Sequence, residues 1–493
     1  MNDRLTGSVG RALGWKAVQL GADRVVTLVR FLILARILAP EDFGLLAIAT
    51  VTLELLLTLT DFGMVPALVQ RRNAESKLYD AAWTVGILRG VAVAVVVVAG
   101  APLIAQLFDD PRSVNLIRLI ALRPLLAAFV SMRIADLERD LDFRSLAMLQ
   151  LPAAVLQTLV AVGLAPLIGV YALVAGMLVG TVLQVALSYR LAPYRPRLQL
   201  HRAAAAPLFR YGRWILATSV AGMVGEAVLR VLVSRLLGTA DLGLYYLAAR
   251  LVSIPNGVVS LVVGAVAFPL HVRLQERVEP AVQALRANLT ALLATLVPIY
   301  IGLIALAPAL VRDVLGQRWA GTVAVIQILA VAPILGVVAD AVIPLFQGRG
   351  RPQHVTGMIL VRSSVLLVVV WPLTAVYGLA GAALAVAVSE VPTQLLGGLL
   401  ARRLLPAPFR TLWKPTCAAL LASVAAGGIA RAVDSIVGPP VGLFAAVAAA
   451  VPVGLVLLAW LDRLLGVGLF RQLTRVFPML SGLPLLRRVS GGS

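Results

Sequence analysis

Cysteine occurs once in this 493-residue chain, at Cys417, and histidine three times, at His201, His271 and His354, none of them at metal-ligand spacing. Neither a disulfide framework nor a structural zinc centre can organise such a chain. Charged residues are also few, at 13%, against roughly 25% in a soluble domain. No G-x-x-x-x-G-K sequence occurs, which excludes a Walker-type nucleotide site, and no other stretch asks for a cofactor. What fills the chain instead is hydrocarbon: 60% of residues are hydrophobic and the mean hydropathy is +0.95.

A helix crosses the bilayer core with about 20 apolar residues, and runs of that length recur from residue 12 to residue 464. The expected fold is all-α and polytopic, with about fourteen transmembrane helices. They are placed near 12–38, 42–66, 81–107, 114–137, 145–168, 171–192, 209–236, 242–269, 284–308, 322–347, 353–376, 378–401, 415–436 and 440–464. The first stretch is too long for a signal-peptide core and reads as the first membrane helix.

A net charge of +20 invites a nucleic-acid partner, so the positions of the basic residues decide. They fall in alternate loops. One set holds Arg4, Arg11, Lys16, Arg71, Arg72, Lys77, Arg139, Arg144, Arg190, Arg195, Arg197, Arg202, Arg273, Arg277, Arg349, Arg351, Arg402, Arg403, Arg410 and Lys414. The opposite set holds little beyond Arg36, Arg112, Arg235, Arg312, Arg318 and Arg431. This positive-inside asymmetry puts both termini on the cytoplasmic side of the membrane and explains the basicity with no nucleic-acid partner.

Residues 34–45, LARILAPEDFGL, realign without a gap on residues 233–244, VSRLLGTADLGL. Arg36 falls on Arg235, Asp42 on Asp241 and Gly44 on Gly243; the same offset puts Trp15 on Trp214 and Arg11 on Arg210. Matching of polar loop residues marks an internal repeat, and repeated halves are how secondary transporters build a cavity that opens to alternate sides. The expected domains are an N-lobe over 1–200, a C-lobe over 201–405, two accessory helices over 406–464 and a basic cytoplasmic tail over 465–493. The stretch 190–213 connects the lobes, and the tail reads as an amphipathic segment on the inner leaflet, its basic residues on lipid headgroups.

Five stretches carry a resemblance: LARILAPEDFGLLAIA from residue 34, DFGMVPALVQRR at 61–72, RYGRWILATSV at 210–220, LLGTADLGLYYLAARL at 236–251 and FPLHVRLQ at 268–275. In this order they resemble the bacterial Wzx-type oligosaccharide flippases of the multidrug, oligosaccharidyl-lipid and polysaccharide exporter superfamily, over roughly residues 10–405. The resemblance implies a two-lobed, V-shaped protein with a central cavity. It implies movement of an undecaprenyl-diphosphate-linked oligosaccharide to the outer leaflet, for capsule, exopolysaccharide or O-antigen assembly. The implied partners are membrane lipid, the lipid-linked oligosaccharide, and the polymerase and glycosyltransferases of the same pathway. One departure stands out: where such proteins commonly carry Asp-Arg before the second-half loop, this chain has Leu229-Arg230.

Charges inside the hydrocarbon cost about 2.5–3.5 kcal/mol on insertion scales, so each is a candidate for function. Guanidinium suits a diphosphate because it stays ionised and binds phosphate oxygens in pairs. Arg24 and Arg30 on the first helix, Arg230 on the seventh and Arg250 on the eighth are the candidate diphosphate contacts. Asp23, Glu54, Glu226, Asp340 and Glu390 are candidate coupling acids or ion-pair partners. Glu226 and Arg230, four apart, also have the spacing of a mutually neutralising pair. Arg89 and Arg123, nearer helix ends, are expected to snorkel. Gly176 and Gly180 form a G-x-x-x-G packing motif, and Pro255-Asn256-Gly257 a kink beside Arg250.

A membrane polymerase, ligase or glycosyltransferase is the competing class, with Glu41-Asp42 and Asp109-Asp110 as its carboxylates. Every outer loop is too short to enclose a sugar acceptor, and Asp42 recurs in the repeat as Asp241, which favours a helix-start role over an enzyme. Within the superfamily, a cation-coupled exporter or a lipid II flippase is the alternative.

Overall fold

A computed structural model describes residues 2–60, 68–69, 76–198, 220, 222–406, 409, 412–439 and 441–465. The expected connector beyond residue 198, most of DFGMVPALVQRR, nearly all of RYGRWILATSV and the amphipathic tail lie outside the described residues. Among the described residues every regular element is helical and none is a strand. This is the fold a bilayer imposes, because hydrocarbon offers a peptide group no partner outside its own helix. Among the described residues, ten helical segments are long and apolar enough to cross a membrane. Contacts divide the chain into two units, Met1–Tyr246 and Leu247–Ser493.

The first unit contains α1 (Asn2–Ile37), α2 (Pro40–Leu59), α3 (Ser76–Phe108), α4 (Ser113–Ile120), α5 (Leu122–Ala127), α6 (Ile134–Arg139), α7 (Phe143–Ile168), α8 (Tyr171–Leu191) and α9 (222–237). It closes on the first turns of α10 (Thr239–Arg273), which crosses the boundary between the units. α7 packs on both α1 and α8. A methyl on Gly176 would stand 3.0 Å from the Ala161 side chain, and one on Gly180 would stand 3.0 Å from Gln157 Cβ. The G-x-x-x-G motif is therefore the face on which α8 meets α7.

The single span expected at 114–137 is corrected by the structure, which breaks it into α4, α5 and α6. Pro124 lacks the N–H that would bond back to Ile120, at the break between α4 and α5; at the second break, between α5 and α6, the backbone finds other partners. The Val130 N–H donates to Ala127 O at 3.2 Å. Ser188 Oγ accepts from the Ser131 N–H at 3.0 Å, and the Ser131 hydroxyl donates to Ala192 O at 2.8 Å. Irregular backbone survives at this depth because α8 and its end satisfy it.

The two copies of the repeat touch within this unit. A methyl on Gly44 would collide with the carbonyl oxygen of Thr239, and a methyl on Gly243 with the carbonyl oxygen of Pro40. Pro40 and Thr239 are themselves equivalent under the 199-residue offset that relates Gly44 to Gly243. The contact is thus reciprocal about a pseudo-two-fold axis, and only glycine permits backbones to approach this closely. Hydrogen bonds flank it: the Ser234 hydroxyl donates to Phe108 O at 2.7 Å and the Thr239 hydroxyl to Asp110 Oδ2 at 2.6 Å.

The second unit holds the rest of α10, then α11 (Val278–Ala309), extended by a π turn over Leu310–Leu315, α12 (Thr322–Leu329), α13 (Val331–Gly348), α14 (Pro352–Leu404), α15 (Trp413–Val437) and α16 (Gly442–Leu465). At 53 residues, α14 is far longer than the roughly 20 a crossing needs. Its Gly378 has φ 57° and ψ −136°, and the chain reverses there. Two crossings result, divided where the spans at 353–376 and 378–401 were expected to meet. α11 packs against α13 and α15, and α15 against α16.

Gly44→Ala and Gly243→Ala should each lower the thermal midpoint of the purified protein, by an overpacking cost of about 1–3 kcal/mol. Gly428→Ala, whose added methyl meets open space, is the control. A midpoint unchanged in both variants would show that the repeat turns are not in backbone contact.

Candidate functional site

In the first unit, α1 carries Asp23 and Arg24, both half-buried, and Arg30, which is buried with its guanidinium 5.7 Å from the centroid of the Phe31 ring. The Glu226–Arg230 spacing suggested a self-neutralising pair, but Arg230 meets a carboxylate from another helix. Its Nη1 lies 3.6 Å from Glu54 Oε2 on α2. That separation exceeds hydrogen-bond range, so the contact balances charge without engaging the planar fork of the guanidinium. Glu226 is half-buried one turn before Arg230.

Arg89 does not simply snorkel. Its Nε donates to Thr60 Oγ1 at 3.1 Å and its Nη2 to Leu57 O at 3.0 Å. It therefore satisfies the carbonyl end of α2, where a cation also complements the helix dipole. Arg123 sits on the short α5.

The second unit gathers a polar cluster inside the membrane. Pro255 leaves α10 continuous, but the Tyr300 hydroxyl is inserted into its ladder: it donates to Val252 O at 2.8 Å and accepts from the Asn256 N–H at 3.0 Å. A side chain wedged between residues i and i+4 is a recognised cause of helix bending. One turn on, the Ser260 hydroxyl lies 3.1 Å from Asp340 Oδ2 on α13 and 3.3 Å from Asn256 Oδ1. Across on α14, Arg362 Nε stands 2.6 Å from Glu390 Oε1. Gln394 links the helices by accepting from the Ala339 N–H at 2.7 Å and donating to Glu390 Oε2 at 3.3 Å. Asp340 lies within electrostatic reach of both Arg362 and Glu390. Arg250 is exposed on α10.

Arg362, Ser260, Tyr300 and Gln394 were not among the residues selected from the sequence. Arg362 carries the same signal in the sequence as the other arginines, a guanidinium in the middle of an apolar run. The neutral residues give no comparable signal, since one hydroxyl or amide in a membrane helix is ordinary.

Two carboxylates of the competing enzyme reading, Asp42 and Asp110, have structural roles. Asp42 Oδ2 accepts from the Ala39 N–H at 3.0 Å and starts α2. Asp110 is buried; its Oδ1 accepts from Arg112 Nε at 3.0 Å and its Oδ2 from Arg112 Nη2 at 2.7 Å, beside the bond from Thr239. Burial pushes its carboxyl up, but the hydrogen bonds from Arg112 and Thr239 outweigh this and hold it below the usual carboxylate range. Among the described residues no group of three His, Cys, Asp or Glu is placed to hold a metal ion.

A family model described as "Polysaccharide biosynthesis protein" matches residues 33–324. The chain is 28% identical over 359 residues to the succinoglycan biosynthesis transport protein ExoT of Rhizobium meliloti, covering 72% of each chain. It is 26% identical over 346 residues to the lipopolysaccharide biosynthesis protein WzxC of Escherichia coli, covering 68% of this chain and 69% of that one. Among solved structures, the lipid II flippase MurJ in an inward closed conformation superposes with a TM-score of 0.74 at 15% identity, over 91% of this chain and 98% of that one. An inward-facing MATE transporter of the MOP superfamily superposes with a TM-score of 0.63 at 16% identity, over 79% and 96%.

If Arg362 and Glu390 form a structural pair, Arg362→Ala leaves a buried carboxylate uncompensated and should lower the level of membrane-inserted protein several-fold. The double variant Arg362→Ala/Glu390→Ala should recover most of that level. Immunoblotting of washed membranes measures both, and a double variant no more abundant than the single one would refute the pairing.

Proposed function

Because the chain belongs to the polysaccharide biosynthesis protein family, we propose that it is a bacterial flippase, a transporter and not an enzyme. It moves an undecaprenyl-diphosphate-linked oligosaccharide from the inner to the outer leaflet for capsule, exopolysaccharide or O-antigen assembly. The observation that carries this reading is the match to ExoT, named for succinoglycan transport, along 72% of both chains. The likeness to the lipid II flippase and to the MATE transporter is one of fold.

In this reading the protein sits in the inner membrane with cytoplasmic termini and about fourteen crossings. These form an N-lobe over 1–200 and a C-lobe over 201–405, followed by two accessory helices. Arg24, Arg30, Arg230 and Arg250 meet the diphosphate as it crosses, since guanidinium remains ionised where an amine would lose its proton. Glu54 balances Arg230 when no substrate is bound, and Glu390 balances Arg362. Of the acids, Asp340 is assigned the coupling role, because its hydrogen-bond donor is the Ser260 hydroxyl and not a cation. Asp23 and Glu226 line the path. The reciprocal contact of Gly44 with Thr239 and Gly243 with Pro40 is the outer gate, closed in this conformation. Glycosyltransferases supply the substrate and a polymerase consumes it.

Deletion should stop surface polysaccharide while lipid-linked repeat units accumulate on the cytoplasmic leaflet, because a flippase leaves its substrate's bonds unchanged. Unjoined single units at the outer surface would point to a polymerase instead. In the complemented deletion strain, export per molecule of inserted protein should be partial for Arg→Lys and small for Arg→Ala at Arg24, Arg30, Arg230 and Arg250. Full export by all four alanine variants would remove these arginines from the substrate path. The charge swap Arg230→Glu/Glu54→Arg should restore protein level and not export, which separates balancing the charge from binding the substrate.

A further inference from the structure

A cavity of about 520 Å³ lies in the first unit, lined by Ser76, Lys77, Asp80, Arg133, Pro193, Tyr194, Arg195 and Arg197. It falls at the end of α3 and α8 that the basic-loop pattern assigns to the cytoplasm, away from Arg24, Arg30 and Arg230, which do not line it. Four cations face one carboxylate, and that carboxylate is already engaged. Asp80 is buried and its Oδ1 accepts from the Tyr194 hydroxyl and, at 3.1 Å, from the Arg197 N–H. Asp80 thereby pins the strand of chain 194–197 that carries Arg195 and Arg197. Arg133 is held from another side, its guanidinium 5.8 Å from the centroid of the buried Tyr79 ring.

Tyr79 is fixed in turn: its hydroxyl donates to Asp136, which also takes Arg139 Nη1 at 2.9 Å, while Arg139 Nη2 donates to Leu68 O at 2.8 Å. The nearby acid Asp136 is thus spent on Arg139 and Tyr79. Among the described residues no carboxylate stands within ion-pair distance of Lys77, Arg133, Arg195 or Arg197. Like charges gathered round a cavity repel one another unless an anion occupies it. Guanidinium groups converging from two segments are suited to a tetrahedral oxyanion, whose oxygens they bind in pairs.

We propose that this cavity is a phosphate site, holding the phosphate of an anionic lipid headgroup or of a soluble phosphate or diphosphate compound at the inner face of the membrane. Its volume lies in the range of ordinary ligand pockets, about 300–1,000 Å³, and leaves room for a group attached to the phosphate. The site is separate from the intramembrane arginines, so it stands or falls independently of the transport path; only its assignment to the inner face rests on the topology proposed above.

The test uses the full-length protein in nanodiscs of phosphatidylcholine, with and without one-fifth phosphatidylglycerol, together with the triple variant Arg133→Gln/Arg195→Gln/Arg197→Gln and the control Arg402→Gln/Arg403→Gln. Native mass spectrometry counts retained phosphatidylglycerol, and calorimetry on the phosphatidylcholine nanodiscs measures inorganic pyrophosphate. Retention of phosphatidylglycerol by the wild type and the control, lost at least about tenfold in the triple variant, identifies a headgroup site. Pyrophosphate binding lost in the same variant, without lipid retention, identifies a soluble phosphate ligand. Binding of neither, or equal binding by the triple variant and the wild type, overturns the proposal. If the triple variant fails to fold, the single Arg195→Glu variant is read in its place against the same outcomes. Orientation is read separately in a Cys417→Ser background with an impermeant thiol reagent on intact cells. Gln317→Cys should label and Leu198→Cys should not; the reverse would overturn the topology and leave the phosphate site on the other face. Gln317 serves as the outer reporter because it is exposed.

Discussion

Hydrocarbon offers no partner to a peptide N–H or carbonyl, and almost every feature of this protein follows from that constraint. Where the chain can remain helical it does so for tens of residues, with an exterior of Leu, Val and Ala. Where it cannot, the protein supplies the missing partner. Ser188 and Ala192 O serve the broken region between α5 and α6, and the Tyr300 hydroxyl restores both the donor and the acceptor opened beside Pro255. These repairs need polar side chains at membrane depth. A structural need therefore explains several polar residues that a search for function would otherwise have claimed.

The repeat shows the same economy at the level of backbones. Gly44 and Gly243 occupy equivalent positions, and each makes room for the residue equivalent to the other's neighbour. Two equivalent close approaches about one pseudo-two-fold axis are lost together when the axis tilts, which is the behaviour the proposed gate would need. The bond from Thr239 to Asp110, itself clamped by Arg112, ties this contact to the loop after α3.

Most of the spans among the described residues were legible because a membrane helix announces itself by length and apolarity alone. The reversal inside α14 was also legible, since the spans had been drawn apart on either side of residue 377, where Gly378 supplies the positive φ. The region 114–137 was not. Its hydropathy is that of a crossing; one proline marks the first break, and the second is held by partners from α8 and its end, some sixty residues away in sequence. The charged site divides similarly. That an arginine lies inside a helix can be read from the sequence; which carboxylate it meets cannot. The four-residue spacing favoured Glu226 for Arg230, yet Glu54, on a different helix, is its neighbour. Arg89 likewise serves the end of α2 through contacts about thirty residues distant. Spacing along one helix constrains local pairs only, and in a polytopic protein the decisive partners come from other helices.

The intramembrane charge is unequally shared, and the inequality has a functional reading. The first unit places Arg24, Arg30, Arg89, Arg123 and Arg230 in or near its spans, against Asp23, Glu54 and Glu226, an excess of positive charge even after Arg89 is assigned to the end of α2. In the second unit Arg250 and Arg362 are matched by Asp340 and Glu390. A helix bundle with a net positive charge in hydrocarbon bears a cost, and an anionic ligand reduces that cost when it binds. The balanced unit has no such bias toward an anion. Its Arg362–Glu390 pair and hydroxyl-bonded Asp340 suit the uptake and release of a small cation, for which a carboxylate near neutral donors is the appropriate ligand. In the reading proposed above, this difference makes the first unit the main contributor to an anionic path that Arg250 alone extends into the second, and leaves the second unit the better host for a coupling cation.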